Sequence, residues 1–271
     1  MRTFPYIGYL ITYFPFFALL LNKGFLTKPL SFLLISPFIP AMAGGFMYNT
    51  VRDAGKDPPQ KNPITRGELP VRVVLSCSAT STLVSLGLFI SFYTSETALL
   101  LSVVYIFFWL AYSGLKIRIK ESYIAPAVAS FLLWSGGPLI LSAEFNYFDV
   151  VTGFLLLGIF LTCVSYEINH TVRDYEIDLK YQCRTFAVRM GKKKAVIVKH
   201  LTLALGYSLL LISAYYWSTP IFFTLIFGFL FPISQLLMMT LDGLDFDLAP
   251  KVFSTVSYTH LRAHETVLDI V

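Results

Sequence analysis

The chain has little charge: of its 271 residues only 14% are Asp, Glu, Lys or Arg, against roughly 25% in an ordinary soluble domain. So few charges cannot cover a water-facing surface, which excludes a large soluble domain. Cysteine is scarce too. Cys77, Cys163 and Cys183 lie in apolar stretches or in a basic loop without metal-ligand spacing, which excludes a disulfide framework and a cysteine metal cluster. No small-residue cleavage site follows the first apolar run, 6–21, so that run reads as an anchor and not as a cleaved signal peptide. In place of charge the chain has 56% hydrophobic residues and a mean hydropathy of +0.67. It belongs in a bilayer.

Apolar runs bounded by charged or turn residues stand near 6–21, 29–48, 71–93, 97–112, 122–142, 147–168, 195–216 and 219–241. At about 20 residues per crossing, these predict an all-α, polytopic transmembrane bundle of eight spans. Alternating crossings place 16 of the 21 Lys and Arg on one side, whereas the opposite 22–28 loop holds only Lys23 and Lys28. Basic loops mark the cytoplasmic face. The net charge of +5 is therefore a topology signal, with no nucleic acid implied. Three long polar loops, after spans two, four and six, are expected on that face.

Those loops also hold carboxylates, which topology does not require. Span two ends in Asn49-Thr50-Val51-Arg52-Asp53, with Asp57 four residues on; span six ends in Asn169-His170-Thr171-Val172-Arg173-Asp174, with Asp178 four residues on. Thr-Val-Arg-Asp recurs at an offset of 121 residues, which points to an internal duplication. If helix continues through the motifs, Asn49, Asp53 and Asp57 share one face, and Glu167, His170, Asp174 and Asp178 share another. Carboxylates spaced four apart repel unless a cation sits between them, and ionisable groups at a membrane boundary point to function. Oxygen donors with few His or Cys suit Mg²⁺, which binds through a few carboxylates together with substrate phosphates. A prenyl diphosphate, with its tail in the bilayer and its head at the aqueous edge, fits such a site. Flanking cations such as Arg52 and Arg173 are candidates to share its charge.

The motifs resemble those of the UbiA superfamily of intramembrane prenyltransferases, which end the second and sixth of about nine helices. Asn49, Asp53 and Asp57 match the first motif, Asn-Asp-x-x-Asp-x-x-x-Asp, with Thr50 at the position of its second residue. Asp174, Asp178, Thr185 and Gly191 match the second, and Glu167 stands where some members carry an extra acidic residue. Asn62-Pro63-Ile64-Thr65-Arg66-Gly67 resembles an Arg-Pro-x-x-x-Gly stretch with Asn62 in place of Arg, and Tyr112 with Lys116 fits a Tyr-x-x-x-Lys element. The resemblance spans about residues 5–250. It implies that Asn49, Asp53 and Asp57 hold one Mg²⁺ and Asp174 with Asp178 another, that Lys116 and Arg66 bind the diphosphate, and that Tyr112 lies beside the reacting carbon. The implied reaction is ionisation of an allylic prenyl diphosphate and capture by a lipophilic acceptor, an aromatic ring or a hydroxyl, as in quinone, haem, chlorophyll or membrane-lipid biosynthesis. Glu167 is the candidate base for that acceptor.

Other residues carry weaker signals. His170 is read as a hydrogen-bonding neighbour of the carboxylates, and Lys192-Lys193-Lys194 as a topology signal touching anionic lipid. Two other activities fit some of these features: an intramembrane terpene cyclase, and a secondary transporter, whose coupling charges belong near the membrane centre. From about Ser254 the hydropathy pattern breaks, and residues 254–271 resemble translated sequencing-adapter read-through. The expected organisation is a prenyltransferase domain over 1–253, lacking the ninth helix of an intact member, followed by a non-native tail over 254–271.

Overall fold

The structure, a computed structural model, describes residues 33–55, 62–114 and 118–216. The predicted first and eighth spans, the 254–271 tail, Asp57 and Lys116 lie outside the described residues. Those described form eight helices and no strand: α1 (Phe38–Asp53), α2 (Val71–Phe92), α3 (Glu96–Gly114), α4 (Ala125–Glu144), α5 (Val150–Arg173), α6 (Tyr175–Lys180), α7 (Phe186–Met190) and α8 (Lys192–Tyr216). Five of them, α2, α3, α4, α5 and α8, are long and apolar enough to cross a membrane. Where a second span was expected over 29–48, α1 starts after Pro37 and runs on to Asp53. Its 16 residues rise about 24 Å, short of the roughly 30 Å hydrocarbon core.

The bundle has an apolar core, with Phe38, Phe89, Leu132 and Ile140 buried in it, and unlike a soluble protein it is apolar on its outer faces as well. In α4, 78% of the most apolar stretch is buried, against 22% in α2 and in α8, so α4 is an interior helix and the other two face outward. Leu83, Ile90, Leu201 and Leu205 stand exposed on those outer faces. In water such apolar surface would be costly; in lipid it is matched by the tails.

Without a hydrophobic force between helices, association relies on close packing and interhelical hydrogen bonds. On α2, Ser78 Oγ donates to the Gly44 carbonyl at 2.7 Å and Ser85 Oγ to the Pro37 carbonyl at 2.8 Å. Partners that fall in number along α1 as they rise along α2 make this pair antiparallel. The α5–α8 pair meets at Gly158 and Gly206, where a Cβ on either residue would lie 3.1 Å from the other's carbonyl oxygen. Any side chain there would push the helices apart. Pro37 and Ser85 stand 121 residues before Gly158 and Gly206, as Val71 at the start of α2 stands 121 before Lys192 at the start of α8. The duplication is thus one of helix pairs as well as of motifs.

Midway through α4 the Tyr105 hydroxyl, fully buried, donates to the Leu132 carbonyl at 2.6 Å. That carbonyl lies inside a π-helical segment, Phe131–Ser135; a side chain competing for a ladder carbonyl is a recognised cause of such bulges. Edge-on contacts to Phe38 at 5.6 Å and Phe131 at 5.9 Å fix the Tyr105 ring. The bulge carries Trp134, whose indole reaches α5.

Candidate functional site

The polar ends of several helices meet around a cavity of about 590 Å³. Its lining includes Asp53 and Gly55 at the end of α1, Tyr112 on α3, Arg118, Lys120 and Glu121, Pro126 and Ala129 on α4, Glu167 and Thr171 on α5, and Asp178 with Tyr181 through Thr185. Each wall has a local cause. α1 ends at Asp53, and Gly55, at φ +81°, adopts a conformation open to glycine at little cost that turns the chain out of the helix. Asn49 and Asp53 therefore share a helical turn, but the helical face expected to include Asp57 ends before it. The buried Asn62 side chain holds the next segment in place, donating from Nδ2 to the Thr50 carbonyl at 2.9 Å and accepting from the Ile64 amide at 3.0 Å. On the opposite wall α5 ends at Arg173 and a turn at Asp174 leads into α6. The Asp178 amide still donates to the Asp174 carbonyl at 2.8 Å.

Asp53, only 4% exposed, is the electrostatic centre of one wall. Its carboxylate accepts from Arg118 Nη2 and, through both oxygens, from Lys120 Nζ. Arg118 also pairs with Glu121 at 2.7 Å. Asn49 Oδ1 accepts from Ser113 Oγ at 2.7 Å and from Lys120 Nζ at 3.1 Å. Across the cavity Asp178 Oδ2 accepts from Thr185 Oγ1 at 2.9 Å. Glu167 accepts from the Trp134 indole at 3.3 Å.

Four other expected site residues, Arg52, Arg66, Arg173 and Asp174, are not in the lining of this cavity. Arg66 is paired with Glu68 at 2.6 Å on an exposed turn, an interaction that holds the Glu68 carboxyl below its usual range. Arg52 and Arg173 are exposed and outside the lining. Arg173 is turned toward His170 Nδ1 at 3.0 Å and toward Asp174 at 3.7 Å. Asp174 is half-buried and also outside the lining. The cations that do line the cavity are Arg118, Lys120 and Arg184. In the sequence, Arg118 and Lys120 read only as topology charges; their spacing, 116, 118, 120, directly after Tyr112, was the available signal. Arg184 makes no ion pair among the described residues.

Among the described residues no three Asp, Glu, His or Cys side chains converge as a metal cage. Asp53, Glu121, Glu167 and Asp178 are instead spread around one cavity with three cations. Such a wall suits a hard cation that keeps its waters and shares its coordination with an anionic ligand, and an anion held by guanidinium and ammonium groups.

The sequence model of the UbiA prenyltransferase family matches residues 9–246. The chain belongs to this family. That membership makes it an enzyme of the prenyltransferase class. No curated protein matches it. Among solved structures it is similar to a UbiA homolog from Archaeoglobus fulgidus bound to DMAPP and Mg²⁺, at 17% identity and a TM-score of 0.67, covering 98% of this chain and 97% of that one. It is also similar to a UbiA homolog from the same organism bound to GPP and Mg²⁺, at 19% identity and a TM-score of 0.62, covering 80% and 76%. At these identities the likeness is one of fold.

Proposed function

We propose that the chain transfers the prenyl group of an allylic prenyl diphosphate to a lipophilic acceptor, with Mg²⁺ as cofactor and its motif loops facing the cytoplasm. The observation that carries this reading is that one cavity is lined by Asp53 and Asp178, one carboxylate from each half of the duplication, together with three cations and Tyr112. The prenyl diphosphates bound with Mg²⁺ in the two similar structures support it. So does the donor set, which is oxygen throughout.

Asp53 with Asn49 on one wall and Asp178 on the other would hold the metal, and Asp57 and Asp174 belong to the same motifs. When bound, the metal supplies positive charge that stabilises the departing diphosphate. Arg118, Lys120 and Arg184 would bind the diphosphate oxygens, and Lys116 remains a further candidate. Tyr112 would flank the allylic carbon. Glu167, held by the Trp134 indole, would accept the proton that an aromatic or hydroxyl acceptor loses on capture. Asp53 ends α1, and Asp178 and the three cations lie in the short helices, turns and loops that join the long helices, which favours a site at the aqueous edge over the mid-membrane coupling site of a transporter. The excess of basic residues on the motif side supports its cytoplasmic orientation. Quinone, haem, chlorophyll and membrane-lipid biosynthesis all use acceptors of this class.

The test is Mg²⁺-dependent diphosphate release from labelled C10 to C20 allylic diphosphates, with membrane extract as the source of acceptor. We expect release by the wild type that is abolished by chelator, by Asp53→Ala and by Asp178→Ala. Release that persists in both variants would overturn the assignment.

A further inference from the structure

We propose that Arg118 and Lys120 are a built-in counter-ion lock on Asp53: they hold its carboxylate until an incoming diphosphate takes them over, so that metal and diphosphate engage together and the metal alone does not. The inference rests on reading the cavity as a Mg²⁺-diphosphate site and adds the order in which its parts engage.

Three observations carry it. First, the oxygens of Asn49 and Asp53, the described residues of the first motif, are already engaged. Both oxygens of Asp53 are held by Lys120 and one by Arg118 as well, and Asn49 Oδ1 accepts from Ser113 and from Lys120. A divalent cation approaching Asp53 alone would meet two positive charges in contact with its ligand. Second, the lock is sheltered, with side-chain exposures of 6% for Asp53, 12% for Arg118 and 20% for Lys120. Solvent screening, which makes surface pairs negligible, is weak here, and the competition is correspondingly strong.

Third, Arg118 has an unused donor. Nη2 is on Asp53 and Nη1 on Glu121, while Nε is buried without a hydrogen-bond partner among the described residues. A buried donor without an acceptor is costly, and a multiply charged anion entering beside Arg118 would supply one. The guanidinium fork matches phosphate geometry, and the Lys120 ammonium, on a flexible stem, can turn to follow. Once both cations have moved to the diphosphate, Asp53 and Asn49 are released as ligands. Each partner then strengthens the binding of the other, as linkage requires.

The experiment uses the full chain in detergent, with Mn²⁺ followed by electron paramagnetic resonance and inorganic pyrophosphate as the anion. Wild type is expected to bind Mn²⁺ weakly alone and about tenfold more tightly with pyrophosphate present. Arg118→Gln and Lys120→Gln are each expected to tighten Mn²⁺ binding in the absence of pyrophosphate by a similar factor and to lose most of the pyrophosphate effect. Asp53→Asn should do the reverse, binding metal-free pyrophosphate several-fold more tightly than wild type because the negative charge that Arg118 and Lys120 share at this position is gone. Should Arg118→Gln yield no folded protein, Lys120→Gln and Asp53→Asn test the same prediction independently. Unchanged Mn²⁺ affinity in the two cation variants, with wild type still showing pyrophosphate-dependent Mn²⁺ binding, would overturn the lock and leave the diphosphate site standing. Wild type that binds no Mn²⁺ with pyrophosphate would overturn both.

Discussion

Asp53 offers a stability test that is independent of catalysis. It is almost fully buried and is the shared partner of Arg118 and Lys120, so Asp53→Ala leaves two cations facing each other across a lost carboxylate. Removing one partner of a buried ion pair costs about 3–5 kcal/mol, because the charge left behind is uncompensated. Glu121 still pairs with Arg118 and water reaches part of Arg118 and Lys120, which puts the expected cost near the lower end, about 3 kcal/mol, or roughly 6–12 °C in melting temperature for a chain of this size. The diagnostic comparison is the triple variant Asp53→Ala with Arg118→Met and Lys120→Met. Replacing a whole buried cluster by apolar groups is often neutral or stabilising, and Glu121, one third exposed, can be solvated once Arg118 is gone. The triple variant should therefore recover most of the loss. Thermal unfolding of purified, metal-free protein in detergent measures both. A loss below about 1 kcal/mol for Asp53→Ala would place the cluster with solvated surface pairs, and a triple variant no more stable than the single would refute the pairing itself.

Tyr105→Phe keeps the ring contacts and removes only the hydroxyl donated to Leu132; it should lower stability by about 1–3 kcal/mol, and an unchanged melting curve would refute the hydroxyl's part in holding the α4 bulge. Trp134→Phe keeps an aromatic ring against Tyr166 but removes the indole donor to Glu167; turnover should fall while pyrophosphate binding is retained, as single-turnover and binding assays would show. Arg184→Gln should raise the KM for the prenyl diphosphate several-fold, as expected for one exposed charge, and an unchanged KM would remove Arg184 from the substrate site. Gly206→Leu should cost at least about 1–3 kcal/mol by overpacking, seen as a lower melting temperature in detergent, because its side chain would meet Thr162 and the Gly158 carbonyl.

How far the sequence discloses this molecule depends on which physical signal each part leaves. The expected spans 71–93, 97–112, 122–142, 147–168 and 195–216 lie within a few residues of α2, α3, α4, α5 and α8, because lipid-facing helices must be apolar along their length. The same signal fails at two places. The span before the first motif was expected to end at residue 48 and that before the second at 168, yet α1 runs to Asp53 and α5 to Arg173, five residues further in both. Hydropathy measures the depth of the hydrocarbon, whereas a helix satisfies its own backbone hydrogen bonds and continues into polar surroundings. Those two five-residue extensions carry Asn49 and Asp53 in one half and Asn169 to Arg173 in the other. The cations were less legible. Arg118 and Lys120 are brought to Asp53 by a short 3-10 turn, Ile119–Glu121, which has neither apolar periodicity nor a cap to announce it, while Arg66, in a recognisable motif, pairs with Glu68 two residues on. Motif spacing reports residues that share a helix. A charge delivered to the site from a loop becomes visible only when the chain is folded, and in this cavity such charges neutralise the carboxylate that the motif supplies.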